Sequence, residues 1–190
     1  MSDGSFHIVA INGSLRRMSF NRGLLRAAGE MLPEGGTIEI VELHDIPMYN
    51  SDVEAEGLPA PVQALAERVR AADALIFSTP EYNFSFSGVL KNAIDWLSRP
   101  PSGFPMRHKP AALMGATGGL WGTVRAQLHL RQVLSPLEVY VLPRPEVLVA
   151  NARERFDADA NLVDETTRQM IGAQMIALVE WARRVRLEAV

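Results

Sequence analysis

Cysteine is absent from the 190 residues, which excludes disulfides, iron-sulfur clusters and thiol catalysis. No apolar run reaches membrane length, and no basic segment followed by an apolar one stands near residue 1, so a cytoplasmic protein is expected. Charge of one sign is also scarce: the formal net charge is -3, with no like-charged block, which leaves no field for nucleic acid. The four histidines, at 7, 44, 108 and 129, lack the paired spacing of metal ligands, and no metal is expected. Neither G-x-x-x-x-G-K-[ST] nor G-x-G-x-x-G occurs around Gly13, and there is no G-x-S-x-G elbow; this disfavours triphosphate, Rossmann dinucleotide and serine-hydrolase chemistry.

What is present is an ordinary globular composition, 47% hydrophobic and 22% charged, over a length that suits a single domain spanning residues 1–190. Short apolar runs alternate with segments of helical period, the pattern of an α/β protein whose parallel sheet is covered on both faces. The spacing predicts strands at 6–11, 37–43, 74–78, 111–115 and 138–142, with 147–149 a candidate continuation of the last. Helices are predicted at 21–31, 61–72, 88–97, 124–134 and 163–187. In the last, Ile171, Met175, Leu178, Ala182 and Val185 form one apolar stripe, read as core. Long connections remain at 45–59, 100–110 and 150–161.

Ligands of open parallel sheets bind beyond the carboxyl ends of the strands, which directs attention to three loops. The first, N-G-S-L-R-R-M-S-F-N over residues 12–21, offers Gly13 for close approach, the hydroxyls of Ser14 and Ser19, Asn21 and the Arg16 fork at the start of a helix. That is a site for a phosphate monoester; equally, Ser19 and Asn21 are ordinary helix caps. The second, S-T-P-E-Y-N-F-S-F-S-G over 78–88, interleaves Glu81, Asn83, Ser85 and Ser87 with Tyr82, Phe84 and Phe86. It supplies both rim hydrogen bonds and face contacts to a planar heteroaromatic. The third, G-A-T-G-G-L-W-G over 115–122, lets backbone pass close to a ligand. Thr117 and Arg125 add polar groups, while Leu120 and Trp121 either shield a ring or pack against a neighbouring subunit.

These segments resemble the NADPH-dependent FMN reductase family of flavodoxin-like quinone, chromate and azo-dye reductases. The likeness rests on G-S-L-R-x-x-S-x-N at 13–21, on P-E-Y-N-x-S-x-x-G-x-L-K-N-A-I-D-W-x-S-R at 80–99, and on the glycine-rich third loop. The resemblance implies a three-layer sandwich with a five-stranded sheet in the order 2-1-3-4-5. It implies FMN as cofactor, with Ser14, Arg16, Ser19 and Asn21 on its phosphate, Pro80, Glu81, Tyr82 and Asn83 bordering the isoalloxazine, and Thr117, Gly118 and Gly119 on the other side. NADPH or NADH is the implied hydride donor; the acceptor is a quinone, azo compound, free flavin or chromate. The flavin carries the chemistry, so no catalytic residue is assigned. A homodimer or homotetramer is implied, with residues 47–53 and the helix bearing Trp96 either at the subunit interface or packed within their own subunit. Arg99, Arg107 and Lys109 are candidates for the 2'-phosphate of NADPH, or are solvated surface. The rival reading is a flavodoxin-type electron carrier without NAD(P)H activity.

Overall fold

The computed structural model of the chain describes residues 6–188, with side chains as far as Val185. Among these residues one parallel sheet is built from β1 (Phe6–Asn12), β2 (Gly36–Val41), β3 (Ala74–Ser78), β4 (Pro110–Ala116), β5 (Tyr140–Val141) and β6 (Val147–Val149), the first five in the order 2-1-3-4-5. The helices are α1 (Phe20–Glu30), α2 (Ser51–Ala55), α3 (Ala60–Ala71), α4 (Gly88–Leu97), α5 (Val124–Leu134) and α6 (Glu165–Glu188).

Successive strand side chains point to opposite faces, and β1 divides accordingly. Val9 and Ile11 join Leu75, Phe77 and Leu113 beneath Leu65 and Val69 of α3, Leu90 and Ile94 of α4, and Leu130 of α5. Ile8 and Ala10 join Ile76, Ala112 and Met114 beneath Leu24 and Leu25 of α1 and Ile171, Met175 and Leu178 of α6. The predicted methionine-bearing stripe of the last helix is thus core. β3 and β4 are buried along their whole length, whereas the edge strand β2 is mostly half-buried, which is why the central runs read as continuous hydrophobes.

Four features differ from the sequence expectation. The predicted second strand stops at Val41. The fifth strand is split: Tyr140 and Val141 pair with Pro110 and Ala111, and Val147 to Val149 then pair with Met114 to Ala116 on the same edge of β4. Glu138, predicted to be strand, takes a left-handed φ of 56°, which ends any extended run there. The connection at 45–59 contains α2, capped by the Asn50 side chain accepting from the Asp52 amide at 2.8 Å.

Candidate functional site

The register places Asn12 of β1 beside Ser78 of β3, so the first two loops leave the sheet as neighbours at its carboxyl edge. The turn out of β1 is shaped by Asn12, whose amide donates to Ser14 O at 3.0 Å and whose Oδ1 accepts from the Ser14 amide at 3.2 Å. This is an Asx turn, the local bonding that an asparagine offers. Asn12 also donates to Glu42 Oε2 at 2.8 Å, and Arg22 Nε lies 3.1 Å from the other oxygen of that carboxylate. Gly13 is required here, because its amide donates to Ser78 O at 2.8 Å and a Cβ would lie 2.9 Å from that oxygen.

Beyond this turn the backbone amides of Leu15, Arg16, Arg17, Phe20 and Asn21 donate to no other described residue. Converging donors at a helix start bind an anion. Arg16 stands over the Phe20 ring at 5.1 Å and points its charge toward the first turn of α1. Ser19 is the N-cap, accepting from the Arg22 amide at 3.2 Å. The Asn21 side chain turns inward: it donates to Ala116 O and accepts from the Ala116 amide, each at 3.0 Å, and accepts from Ser78 Oγ at 3.2 Å. It fastens α1 to the end of β4, while its backbone N–H stays open toward the loop.

The second loop folds on itself. Tyr82 and Ser85 exchange backbone hydrogen bonds at 2.9 and 3.0 Å, with Asn83 and Phe84 between them at φ 48° and 68°. Positive φ at both central residues is the geometry of a tight hairpin turn, and for phenylalanine it costs on the order of 1–2 kcal/mol. Phe84 is nonetheless 62% exposed. Glu81, just before the turn, reaches the third loop. Its Oε2 accepts from the amides of Arg125 and Ala126 at 3.1 and 3.2 Å, and its Oε1 accepts from Arg125 Nε at 2.6 Å and pairs with Arg125 Nη2. The Glu81 side chain is 5% exposed. Thr123, at the α5 N-cap, makes no side-chain cap bond, so Glu81 caps α5 from 44 residues away. A carboxylate suits that end of the helix dipole. The Arg125 guanidinium in turn lies 3.8 Å from the Phe84 ring centroid, and this stack offsets part of the turn strain.

The third loop is pinned at its base: the Thr117 amide donates to Val149 O, and the Asn151 and Ala152 amides donate to Gly119 O and Thr117 O, at 3.0 to 3.1 Å. A Cβ on Gly118 or Gly119 would meet nothing within 4 Å, so bare backbone faces outward. Glu81, Asn83, Phe84, Thr117, Gly119, Trp121 and Arg125 line one cleft of about 260 Å³. Ser14, Arg16 and Ser19 lie around the first loop and Glu81, Asn83, Thr117 and Gly119 around this cleft; Pro80 leads into the hairpin and Tyr82 forms one side of it. FMN fits this arrangement, since open amides with a guanidinium suit its phosphate and a cleft of backbone and aromatic groups suits its ring.

Other expected residues go elsewhere. Lys109 Nζ donates to Arg70 O and Ala72 O at 2.8 and 2.5 Å, and Arg107 pairs with Glu138. Both precede β4 and sit at the amino end of the sheet, away from the three loops. Arg99 stacks on Tyr49 at 5.5 Å and donates to Asp95 O at 3.2 Å. Trp96 is fully buried and donates Nε1–H to Pro47 O at 2.8 Å, while Asn92 accepts from the Tyr49 amide at 2.7 Å. Residues 47–49 therefore pack on α4 of their own chain. Sequence reasoning passed over Asn12 and Glu42; an asparagine directly before Gly-Ser is a turn signal for the first, and nothing local marks the second. Among the described residues no cluster of histidines and carboxylates can hold a metal ion, and no helix is long and apolar enough to cross a membrane.

The sequence model of the NADPH-dependent FMN reductase family matches residues 6–154. The chain is 50% identical over 186 residues to an NAD(P)H-dependent FMN reductase of Pseudomonas aeruginosa, covering 98% of this chain and 100% of the relative. It is 40% identical over 185 residues to an NADPH:quinone oxidoreductase of Arabidopsis thaliana, covering 94% and 93%. Among solved structures, the flavoenzyme NAD(P)H:(acceptor) oxidoreductase of Paracoccus denitrificans superposes with a TM-score of 0.85 at 31% identity, over 94% of this chain and 98% of that one.

Proposed function

The chain belongs to the NADPH-dependent FMN reductase family, and from that premise we propose how its own residues serve the activity. The protein is an FMN-dependent NAD(P)H oxidoreductase that passes reducing equivalents to an acceptor such as a quinone. Bound FMN supplies the two-electron chemistry, taking hydride from the nicotinamide and yielding it to the acceptor. Our reading assigns the FMN phosphate to the open amides at residues 15–21, to Ser14 and to Arg16, with Ser19 holding the first turn of α1 in place. Each hydrogen bond to a charged group contributes roughly 1.5–3 kcal/mol, so three or four anchor the phosphate firmly.

The ring belongs in the cleft between the 80–85 hairpin and Thr117, Gly118 and Gly119. Pro80, Tyr82 and Asn83 border it, and Glu81 works at one remove by fixing the hairpin to α5. The observation that carries this assignment is the Glu81 clamp, which sets two loops from different strands at a fixed separation beside the anion loop. Preorganised walls orient a ring and its stacking partner without cost at the moment of reaction. No side chain is needed as proton donor for a hydride step.

The electron-carrier alternative is set aside, because the relatives that match over nearly the whole chain are named as reductases. We take the chain as one FMN-binding domain acting in the cytoplasm, where both nicotinamide nucleotides are at hand. We also infer a homodimer or homotetramer: Leu120, Val124 and Leu128 recur at four-residue steps on an exposed face, and contiguous exposed apolar groups mark interaction surfaces. Sedimentation velocity checks the assembly. The assignment of the site is tested by FMN titration of Ser14→Ala and Arg16→Ala proteins; unchanged affinity in both would contradict it.

A further inference from the structure

Arg125 is held on three sides. Its Nε donates to Glu81 Oε1 at 2.6 Å, its Nη2 pairs with the same oxygen, and its plane stacks 3.8 Å from the centre of the Phe84 ring. Its Nη1 donates to no acceptor among the described residues, and the side chain, 36% exposed, lines the same cleft as Asn83, Thr117 and Trp121. A clamp on Glu81 alone needs neither the second nitrogen nor an exposed phenylalanine in a left-handed turn, a conformation better served by asparagine or glycine. Strain of this kind gathers where a side chain has work beyond packing. Trp121 stands on the cleft, 67% exposed, and adds a second aromatic surface.

We propose that Arg125 binds the electron acceptor, its Nη1–H donating to a ring oxygen of a flat aromatic quinone that meets Phe84 and Trp121 at its edge and on its outer face, the other face being left for the flavin. The inference rests on the flavin reading above and adds to that site the residue that holds the acceptor. In the reaction, two electrons and one proton reach the quinone as hydride, one oxygen becomes a phenolate, and a proton from water completes the hydroquinone. A fixed guanidinium N–H binds the carbonyl and strengthens as that oxygen gains charge.

The test compares 1,4-naphthoquinone with ferricyanide, which has neither ring nor carbonyl, in wild-type, Arg125→Lys and Phe84→Asn proteins. Lysine keeps a cation beside Glu81 without the fork; asparagine suits the turn without the ring. The KM for naphthoquinone rises about tenfold relative to that for ferricyanide in Arg125→Lys, the scale of one charged hydrogen bond. With no reductant present, the FMN-loaded Arg125→Lys protein binds 2-hydroxy-1,4-naphthoquinone about tenfold more weakly by calorimetry. Phe84→Asn, which relieves strain and folds, weakens the same binding by about threefold. Unchanged naphthoquinone KM and binding in Arg125→Lys overturns the role of Arg125, and if that variant does not fold, unchanged binding in Phe84→Asn overturns the proposal. Wild-type protein that turns over naphthoquinone while both variants keep wild-type affinity refutes this inference alone. Wild-type protein that takes up no FMN refutes the flavin reading and this inference with it.

Discussion

Replacing Glu81 by alanine removes four contacts at once: the amides of Arg125 and Ala126 at 3.1 and 3.2 Å, Arg125 Nε at 2.6 Å, and the Nη2 pairing. Breaking a buried ion pair costs about 3–5 kcal/mol when the surviving charge stays buried. Arg125 is more than one-third exposed and rehydrates once freed, as do the first-turn amides of α5, which brings the expected loss to about 2–3 kcal/mol. For a chain of this length about 2–4 °C of melting temperature goes with each kcal/mol, so differential scanning calorimetry of the Glu81→Ala protein shows a drop of roughly 4–12 °C. A double-mutant cycle with Arg125→Ala isolates the pair, and a coupling above about 1 kcal/mol is expected for groups in direct contact. A drop below about 1 °C, or additivity of the two substitutions, would refute the claim that this clamp joins the two loops.

Arg16→Ala weakens FMN binding by about 10- to 100-fold in a fluorescence titration, the loss of one or two charged hydrogen bonds, and leaves the melting temperature of the FMN-free protein nearly unchanged. Asn21→Ala shows the reverse emphasis: losing the two-way bond to Ala116 lowers stability by about 2–4 kcal/mol in urea unfolding, and a purely binding defect would speak against the inward placement of this side chain. At low pH, Asp164 and Asp157 govern part of the stability. The Thr167 hydroxyl and amide, with Arg155, hold the Asp164 carboxyl below the ordinary range, and the Asn161 amide does the same for Asp157. A depressed folded-state value means that their contribution is complete above the ordinary carboxylate range near pH 4 and is lost as pH falls through the lower folded values. Asp164→Asn flattens that part of the stability profile, and a profile identical to wild type would contradict the role given to these contacts.

The central strands were legible because β1, β3 and β4 are buried on both faces and write themselves as unbroken apolar runs. The split of β5 and β6 was not, since Glu138 carries no sequence mark of its left-handed backbone and the pairing with β4 resumes only at Val147. The loop at 12–21 stood out in the sequence, but Asn21 shows how a residue in such a motif serves from within: the Ala116 partner lies 95 residues away, beyond any local pattern. Glu81 is a similar case, a helix cap recruited across 44 residues. Trp96 and residues 47–53 were open between a subunit interface and internal packing; the indole bond to Pro47 O places Trp96 inside its own chain. Arg107 and Lys109 were selected by charge, and only the topology puts them at the wrong end of the sheet.

The most direct test of the account is anaerobic. Protein reconstituted with FMN and mixed with NADPH, then with NADH, is expected to lose the flavin absorbance promptly with at least one nucleotide and to regain it on addition of 1,4-naphthoquinone. Protein that binds FMN but is bleached by neither nucleotide, or that stays bleached when the quinone is added, would contradict the assignment of these three loops to hydride transfer.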